Sequence, residues 1–502
     1  MTYELIETGV WSVLPPLIAI TLALVTKEVY SSLFFGLVSG VAIYTVAGGK
    51  TVVDGAAVLL DMACLKIVDH AYMIVFLALL WAVVVLVSRS GGSEAYGRWA
   101  EKRLKSKRGV SFAAFFLGIL IFIDDGFNCL TVGTVMRPVF DRARVSREKL
   151  AYILDSTAAP ICIIAPVSSW AVAVADDIDK QDGFSTFLAT IPYNFYALLT
   201  IVALLVICWS GKDFGPMKKA EEAARFAVSE TEEETEKTAN GGRVFDLVLP
   251  ILVLIVCSIL GMGYVGGLFS GVPFSKAIGE NPTAGFALGA LAALCVAAVL
   301  YLPRKRMTPK EFVESVVQGI GSIVPPMLIL ILSWCLSDVC HELIGTGEFL
   351  SGFVGGAAIP LGFLPFVLFV VAAIMAFSMG SSWGTFSILI PIVMMLCEAD
   401  SAAYLLVPML GATLSGSVYG DHCSPISDTT ILSSTGAKCV HIRHVETQLP
   451  YATLTAAACA VGYVLIGFSV NVWLSLAISA ATFLAAFTAL CYLEKRKAAK
   501  EE

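Results

Sequence analysis

Long apolar windows, parted by short polar breaks, follow one another through almost the whole chain. Windows at 11–26 and 29–47 are separated only by Lys27 and Glu28, which predicts two tightly joined helices close to the minimum of roughly 17 residues that a crossing needs. Residues 51–69 carry Asp54, Asp61, Lys66 and Asp69 at intervals, the pattern of an amphipathic helix at an interface or buried in protein. A cleaner crossing covers 71–87, followed by a basic loop over 98–108. From Val110 to Pro138 the ends are apolar, the centre reads FIDDGFN, and basic residues lie outside both ends. That arrangement predicts two half-helices that enter and leave on one side, a re-entrant hairpin over 110–140. Residues 150–175 predict a transmembrane helix interrupted at Asp155–Pro160 and again at Pro166, because proline removes a helix donor and crowds the preceding turn. A further apolar run, 187–208, closes this first half, 1–210.

Residues 211–243 hold the run SETEEETEK and few large apolar side chains, so they read as a cytoplasmic linker. The second half, 244–471, repeats the order of landmarks in the first. Trp81 and Trp334 stand 253 residues apart, as do Pro138 and Pro391, and Thr134 and Ser387 each precede their proline by four. Gly380–Thr385 takes the place of the polar tip at Asp124–Asn128 and predicts a second hairpin over 363–397. PVSS at Pro166 answers PISD at Pro425 and predicts a second interrupted helix over 405–436. Residues 472–502 add a terminal helix and a cytoplasmic tail. Twelve Lys or Arg residues lie between Arg89 and Lys149, and none between Glu311 and Ala437. Positive charge is retained on the cytoplasmic side, so the first hairpin opens to the cytoplasm and the second to the outside. The predicted fold is an all-α polytopic membrane protein of two inverted-topology repeats, each with a re-entrant helical hairpin and a discontinuous transmembrane helix, with about 11 crossings. The N-terminus is expected outside and the C-terminus in the cytoplasm.

Composition agrees: 57% hydrophobic and 15% charged residues lie outside the range of soluble domains. The first apolar run lacks a basic flank and a small-residue cleavage site, so it is expected to be retained as a helix. The thirteen cysteines form no CxxC pair and read as small packing residues. A net charge of −7, with basic residues in loop clusters and no interleaved aromatics, argues against nucleic acid as a partner. No GxSxG, HExxH or P-loop supports an enzyme, and no catalytic residues or cofactors are expected. A channel would need a continuous polar pore, whereas here the polar breaks come in pairs.

Four breaks should meet at the bilayer midplane between the repeats: Asp124–Thr131, Asp155–Pro160, Gly380–Thr385 and Ser417–Asp428. Half-helix ends, hydroxyls and amides are hard oxygen ligands suited to an alkali cation, with a carboxylate as the balancing charge. The inferred cargo is Na+. Burial disfavours a charged carboxylate, so a proton competes with Na+ for it. Asp155 and Asp421 lead as carriers because each lies at a helix break. Asp124 and Asp125 come next, with pairing to Arg137 or Arg142 as their alternative. Asn128, Thr131, Ser156, Thr157, Ser381, Ser382, Thr385, Ser417 and Asp428 are the remaining cation or proton ligands. Trp383, Tyr419 and His422 would line a pocket for an organic substrate, although Trp170 and Trp383 also read as core residues. His441 and His444, near Lys438 and Arg443, read as a cytoplasmic loop, and Asp338, His341 and Glu342 as the interfacial end of a crossing or an external gate.

The segments FIDDGFNCLTVGTVMRPV, LDSTAAPICIIAPVSSWA and GSVYGDHCSPISDTTILSS resemble the NhaC-type sodium/proton antiporter family, within a larger superfamily of hairpin-bearing secondary carriers. The resemblance implies a scaffold plus a transport domain of two opposed hairpins and two broken helices. It maps the hairpin-tip ligands onto Asn128 and Thr131 in the first half and onto Ser381, Ser382 and Thr385 in the second. The function expected is Na+/H+ antiport by alternating access in the cytoplasmic membrane. The alternative is Na+- or H+-coupled transport of an amino acid or small organic anion. The partners expected are the lipid bilayer, Na+ and H+, with a homodimer left open.

Overall fold

The computed structural model describes residues 3–26, 28–92, 106–178, 183–225, 242–272, 281–346, 360–397, 402–425 and 427–501, with positions 95, 103, 104, 277 and 349 between them. Among these residues all regular structure is helical. Helices α1 (Leu14–Thr26) and α2 (Val29–Ala47) form the tight pair; Glu28 starts α2 by accepting the backbone N–H groups of Tyr30 and Ser31. Helix α3 (Val52–Asp69) opens on a capping box in which Thr51 and Asp54 satisfy each other's backbone donors. Its buried Lys66 pairs with Asp338. Helix α4 (Ala71–Arg89) is the cleaner crossing.

The first predicted hairpin is α5 (Lys107–Leu120) and α6 (Asp125–Ala143), joined through Ile121–Asp124. The first predicted interrupted helix is α7 (Arg147–Thr157), a single turn α8 (Ala159–Cys162) and α9 (Ser169–Ile178). Next come α10 (Gly183–Thr190) and α11 (Phe195–Ser210). The stretch read as a solvated linker begins instead with α12 (Gly215–Ala224), which buries Met217, Ala220 and Glu221 and packs against α7. Few large apolar residues are needed for this, because Glu221 is held by the N–H and hydroxyl of Ser146 at 2.8 and 2.7 Å.

Helices α13 (Val244–Val265), α14 (Pro282–Tyr301), α15 (Pro309–Ser322) and α16 (Val324–Asp338) lead to the second hairpin, α17 (Leu364–Met379) and α18 (Ser382–Leu396). The second interrupted helix is α19 (Leu406–Cys423) and α20 (Asp428–Ala437), followed by α21 (His441–Gly467) and α22 (Val472–Glu501). Among the described residues, eight helices are long and apolar enough to cross a bilayer, or nine if the pair around α10 and α11, bent by 46°, is one span. One of the eight, 361–378, is an arm of the second hairpin. The expected total of about eleven also counts α1 and the two interrupted helices; α1 and α7 are shorter than a crossing, and α19 is long enough but too polar at its end.

The interrupted helices pack where small residues let backbones approach, which is how helices associate when lipid removes the hydrophobic drive. Helix α20 lies against both α6 and α7. A Cβ added to Gly133 would stand 2.6 Å from the carbonyl carbon of Gly436, so those two glycines set the distance between α6 and α20. Gly416 and Gly420 likewise lay α19 on the carbonyls of Phe369 and Ala373 in α17. The second interrupted helix is thus clamped against both hairpins, by α20 on the first and α19 on the second.

Candidate functional site

Helix α7 stops at Thr157, where the backbone of Ala158 leaves the helical region at φ −84°, ψ −104°. Asp155 sits in its last turn and is 1% exposed. Its Oδ2 accepts the side-chain amide of Gln448 at 3.0 Å and meets His444 Nε2 at 3.2 Å. The same His444 nitrogen lies 2.9 Å from the hydroxyl of Ser433 in α20. Gln448 also donates to the carbonyl of His422 at 2.6 Å, so one amide joins the ends of both interrupted helices. Asp155 Oδ1 and Gln448 Oε1 are buried without a hydrogen-bond donor among the described residues. Buried acceptors in that state are costly, and a proton or a cation relieves them. Ser156, adjacent to Asp155, meets His422 Nε2 at 3.2 Å, and the other ring nitrogen of His422 meets Tyr196 OH at 2.7 Å.

The second break has a different lining. Helix α19 ends at Cys423, Ser424 adopts extended backbone, and Ser427 caps α20 through the N–H of Thr430. Asp421, 2% exposed, accepts the hydroxyl of Thr429 at 3.4 Å. Thr429 is 3.0 Å from Ser427 Oγ, and Thr430 donates to the Asp421 carbonyl at 3.5 Å. A carboxylate met by the Thr429 hydroxyl, with two further hydroxyls and a main-chain turn close by, is a hard-oxygen environment. The side chain of Asp428 lies outside the described residues; its backbone opens α20.

The hairpin tips are pinned to these breaks. Asn128 donates its amide toward the carbonyls of Gly118, Ile121 and Thr157 at 2.7, 3.1 and 2.9 Å, which ties the first tip to the end of α7. Its Oδ1 is buried with no donor among the described residues. Thr131 is buried one turn further along α6, while Thr157 turns its hydroxyl back to Ile153 O at 2.8 Å. Asp124 caps α6 by accepting the N–H of Phe127 at 2.9 Å and meets Ser169 Oγ at 3.5 Å. Asp125 accepts the N–H of Gly126 at 2.9 Å. In the second tip Ser381 caps α18, Thr385 donates to Ser381 O at 2.9 Å, and Ser382 donates to the carbonyl of Ser417 at 3.1 Å. Ser417 spends its own hydroxyl on Thr413 O at 2.8 Å, so it offers the site a carbonyl.

The three residues proposed for an organic pocket separate. Tyr419 and His422 both flank Tyr196, with ring centroids 5.3 and 6.0 Å from it. Trp383 instead packs edge-on against Trp170 at 5.9 Å. Its bulk fills the space beside α9.

Sequence reasoning missed several residues. His444, expected in a cytoplasmic loop, is fully buried in α21 and touches Asp155. The spacing of His444 and Gln448, one helical turn apart at the start of an apolar window, was the available signal. A second polar cluster went unseen. Asp177 at the end of α9 accepts the indole N–H of Trp334 at 2.9 Å and the hydroxyl of Ser387 at 2.9 Å. Beside it His70 pairs with Asp176 and stacks on Trp334, with centroids 3.7 Å apart. This cluster ties α4, α9, α16 and α18 together.

A sequence profile described as the Na+/H+ antiporter family matches residues 171–468, more than half of the chain. The chain belongs to that family. An uncharacterized protein of Haemophilus influenzae is 39% identical to this antiporter-family chain over 488 residues, 93% of each. The malate-2H(+)/Na(+)-lactate antiporter of Bacillus subtilis is 29% identical over 166 residues, 32% of this chain and 33% of its own. In fold, the chain is similar to the Alcanivorax borkumensis YdaH transporter, with a TM-score of 0.55 over 84% of this chain and 90% of that one at 14% identity. The antiporter-family chain is a multi-pass membrane protein and a secondary transporter, as the resemblance of its three polar segments implied.

Proposed function

We propose that this chain exchanges Na+ for H+ across the cytoplasmic membrane by alternating access, with the two interrupted helices and the two hairpin tips as the moving site. The observation that carries the reading is the Asp155 carboxylate, buried at the end of α7 and shared between His444 Nε2 and the Gln448 amide. A carboxylate held beside an imidazole takes up and releases a proton without a large rearrangement. Asp421, with Thr429 and the adjoining Ser427 and Thr430, is the Na+ end of the exchange, and Asn128 Oδ1, which has no donor among the described residues, is a further oxygen ligand. Gln448, bonded both to Asp155 and to the His422 carbonyl, gives the means by which occupancy of one end is felt at the other. The two halves are read as inverted repeats, with the N-terminus outside and the C-terminus in the cytoplasm, from the distribution of Lys and Arg.

A second reading is coupled movement of a small organic anion. It is favoured by the partial similarity to a relative named as a malate-2H(+)/Na(+)-lactate antiporter. One assay separates the two. The full-length protein is reconstituted into liposomes with an internal pH dye, and Na+ is added outside with and without a panel of amino acids and small carboxylates that includes malate and lactate. Proton movement driven by Na+ alone supports the antiporter. Proton or Na+ movement only when an organic solute is present overturns it in favour of the coupled carrier.

A further inference from the structure

A cavity of about 680 Å³ opens among α5, α7, α11, α12 and α22, away from the transport site. Seven Lys or Arg side chains line it against four Asp or Glu. Part of that charge is spent within the wall: Lys149 holds Asp213 at 2.7 Å, Lys107 lies 3.6 Å from Glu221, and Lys218 lies 3.9 Å from Glu222. Arg108, Lys212 and Arg225 have no carboxylate within 4.0 Å among the described residues, so the cavity keeps a positive surplus. Val206, Ile207, Phe487 and Tyr492 make its other wall apolar. That wall belongs to α11 and α22; Ile207 and Phe487 are buried, and Tyr492 is exposed at its outer end on α22, most of whose apolar length faces outward.

Among the described residues Arg108 donates only to the Ser210 carbonyl, at 3.5 Å. Guanidinium and ammonium groups with no carboxylate partner among those residues, beside an apolar wall on an outward-facing helix, are what a phosphate carried at the end of an acyl chain requires. We propose that this cavity binds a phosphate-bearing anion through Arg108, Lys212 and Arg225, supplied either as the headgroup of an anionic phospholipid or as soluble phosphate. The cavity floor adjoins both helices of the Asp155 site. Lys149 is in the first turn of α7, and its partner Asp213 also accepts Tyr451 OH of α21 at 3.3 Å. An anion that competes with Asp213 for Lys149 therefore acts on the two helices that carry Asp155, His444 and Gln448. The binding itself does not depend on which ions the protein exchanges.

The test is ligand binding by the purified full-length protein in a neutral detergent, followed by native mass spectrometry and thermal unfolding. The ligands are phosphatidylglycerol, phosphatidylcholine, and inorganic phosphate against chloride at matched ionic strength. Phosphatidylglycerol is expected to bind and raise Tm, and phosphatidylcholine to do neither. Replacing Arg108→Gln, Lys212→Gln and Arg225→Gln together should weaken binding by about a hundredfold, roughly fivefold per cation, with an unchanged elution profile and unchanged Tm without ligand. If the triple variant does not fold, the three single variants carry the test, each at about fivefold. Inorganic phosphate giving the same charge-dependent stabilisation would identify the soluble anion as the source. Equal binding of phosphatidylglycerol to wild type and variants, equal binding of phosphatidylcholine, or no binding of either phosphate carrier would overturn the proposal.

Discussion

Asp155 and Asp421 occupy matching places, each in the last turn before the break of an interrupted helix, and their surroundings differ in chemistry. Asp155 is met by an imidazole and an amide, and the imidazole is itself backed by Ser433. Asp421 is met by the hydroxyl of Thr429, with Ser427 and Thr430 next to it. Nitrogen donors around a carboxylate favour bookkeeping in protons, whereas hydroxyl and carbonyl oxygens favour a hard cation. On the proposed reading, two acids that one sequence pattern makes alike are given separate work by helix α21, which brings His444 and Gln448 to Asp155 from outside either hairpin. Gly133 and Gly436 make the difference physically available, because they let α20 close on α6 and bring Ser433 next to His444.

The largest effect that would sharpen this contrast is expected from Asp421→Asn. Removing the balancing charge of the proposed Na+ end should abolish both Na+-driven proton movement and Na+/Na+ exchange in liposomes, at wild-type expression and elution profile. Asp155→Asn keeps the shape and a hydrogen-bonding oxygen but cannot carry a proton. It should abolish Na+-driven proton movement while sparing Na+/Na+ exchange measured with radioactive Na+. If both variants lose both activities, the two acids form one site and the contrast is broken. Wild-type Na+ response in both would remove the site assignment altogether.

How far the sequence foretold this can be followed residue by residue. The hairpins, both interrupted helices and the four polar breaks were legible because each is a local pattern: an apolar window with Gly, Pro or acidic residues at its centre. The amphipathic helix over 51–69 was legible for the same reason, and Thr51 with Asp54 marks its start. His444 was not, because its neighbours in sequence, Lys438 and Arg443, look like a loop, and only the packing of α21 against α7 turns it inward. Asp176 and Asp177 were missed likewise: before DKQD they look solvated, and their partners His70, Trp334 and Ser387 lie far away in the chain. Trp334 and Ser387 are landmarks of internal repetition in the sequence, and the fold joins them through Asp177. Helix α12 is hard to read from sequence because its inward stripe, Met217, Ala220 and Glu221, holds one large apolar side chain among charged neighbours, and its anchor is the carboxylate of Glu221.

A smaller effect is expected where the two sites are joined. Gln448→Leu removes the amide shared by Asp155 and the His422 carbonyl, leaving two acceptors without that donor. Hydrogen bonds to charged groups contribute about 1.5–3 kcal/mol, so turnover in the proton-coupled assay should fall by roughly tenfold or more. Na+/Na+ exchange should fall less, since the oxygens around Asp421, from Thr429, Ser427 and Thr430, stay in place. An equal loss in both assays would mean that Gln448 supports the fold of the whole site and does not connect two distinct ends.

The finest probe is Thr429→Val, which deletes one hydroxyl from the Asp421 side and leaves the shape of the residue nearly unchanged. Thr429 meets Asp421 at 3.4 Å, at the long end of hydrogen bonding, so the carboxylate depends little on it. As a cation ligand the same oxygen matters more, because a hard cation stripped of water needs every coordinating oxygen the protein offers. A neutral hydrogen-bonding group contributes about 1 kcal/mol; its loss should raise the Na+ concentration for half-maximal exchange by roughly fivefold. Maximal rate at saturating Na+ and its dependence on pH should stay at wild-type values. A shifted pH dependence with unchanged Na+ affinity would place the proton on Asp421 and the cation on Asp155, reversing the assignment while keeping the two-site arrangement.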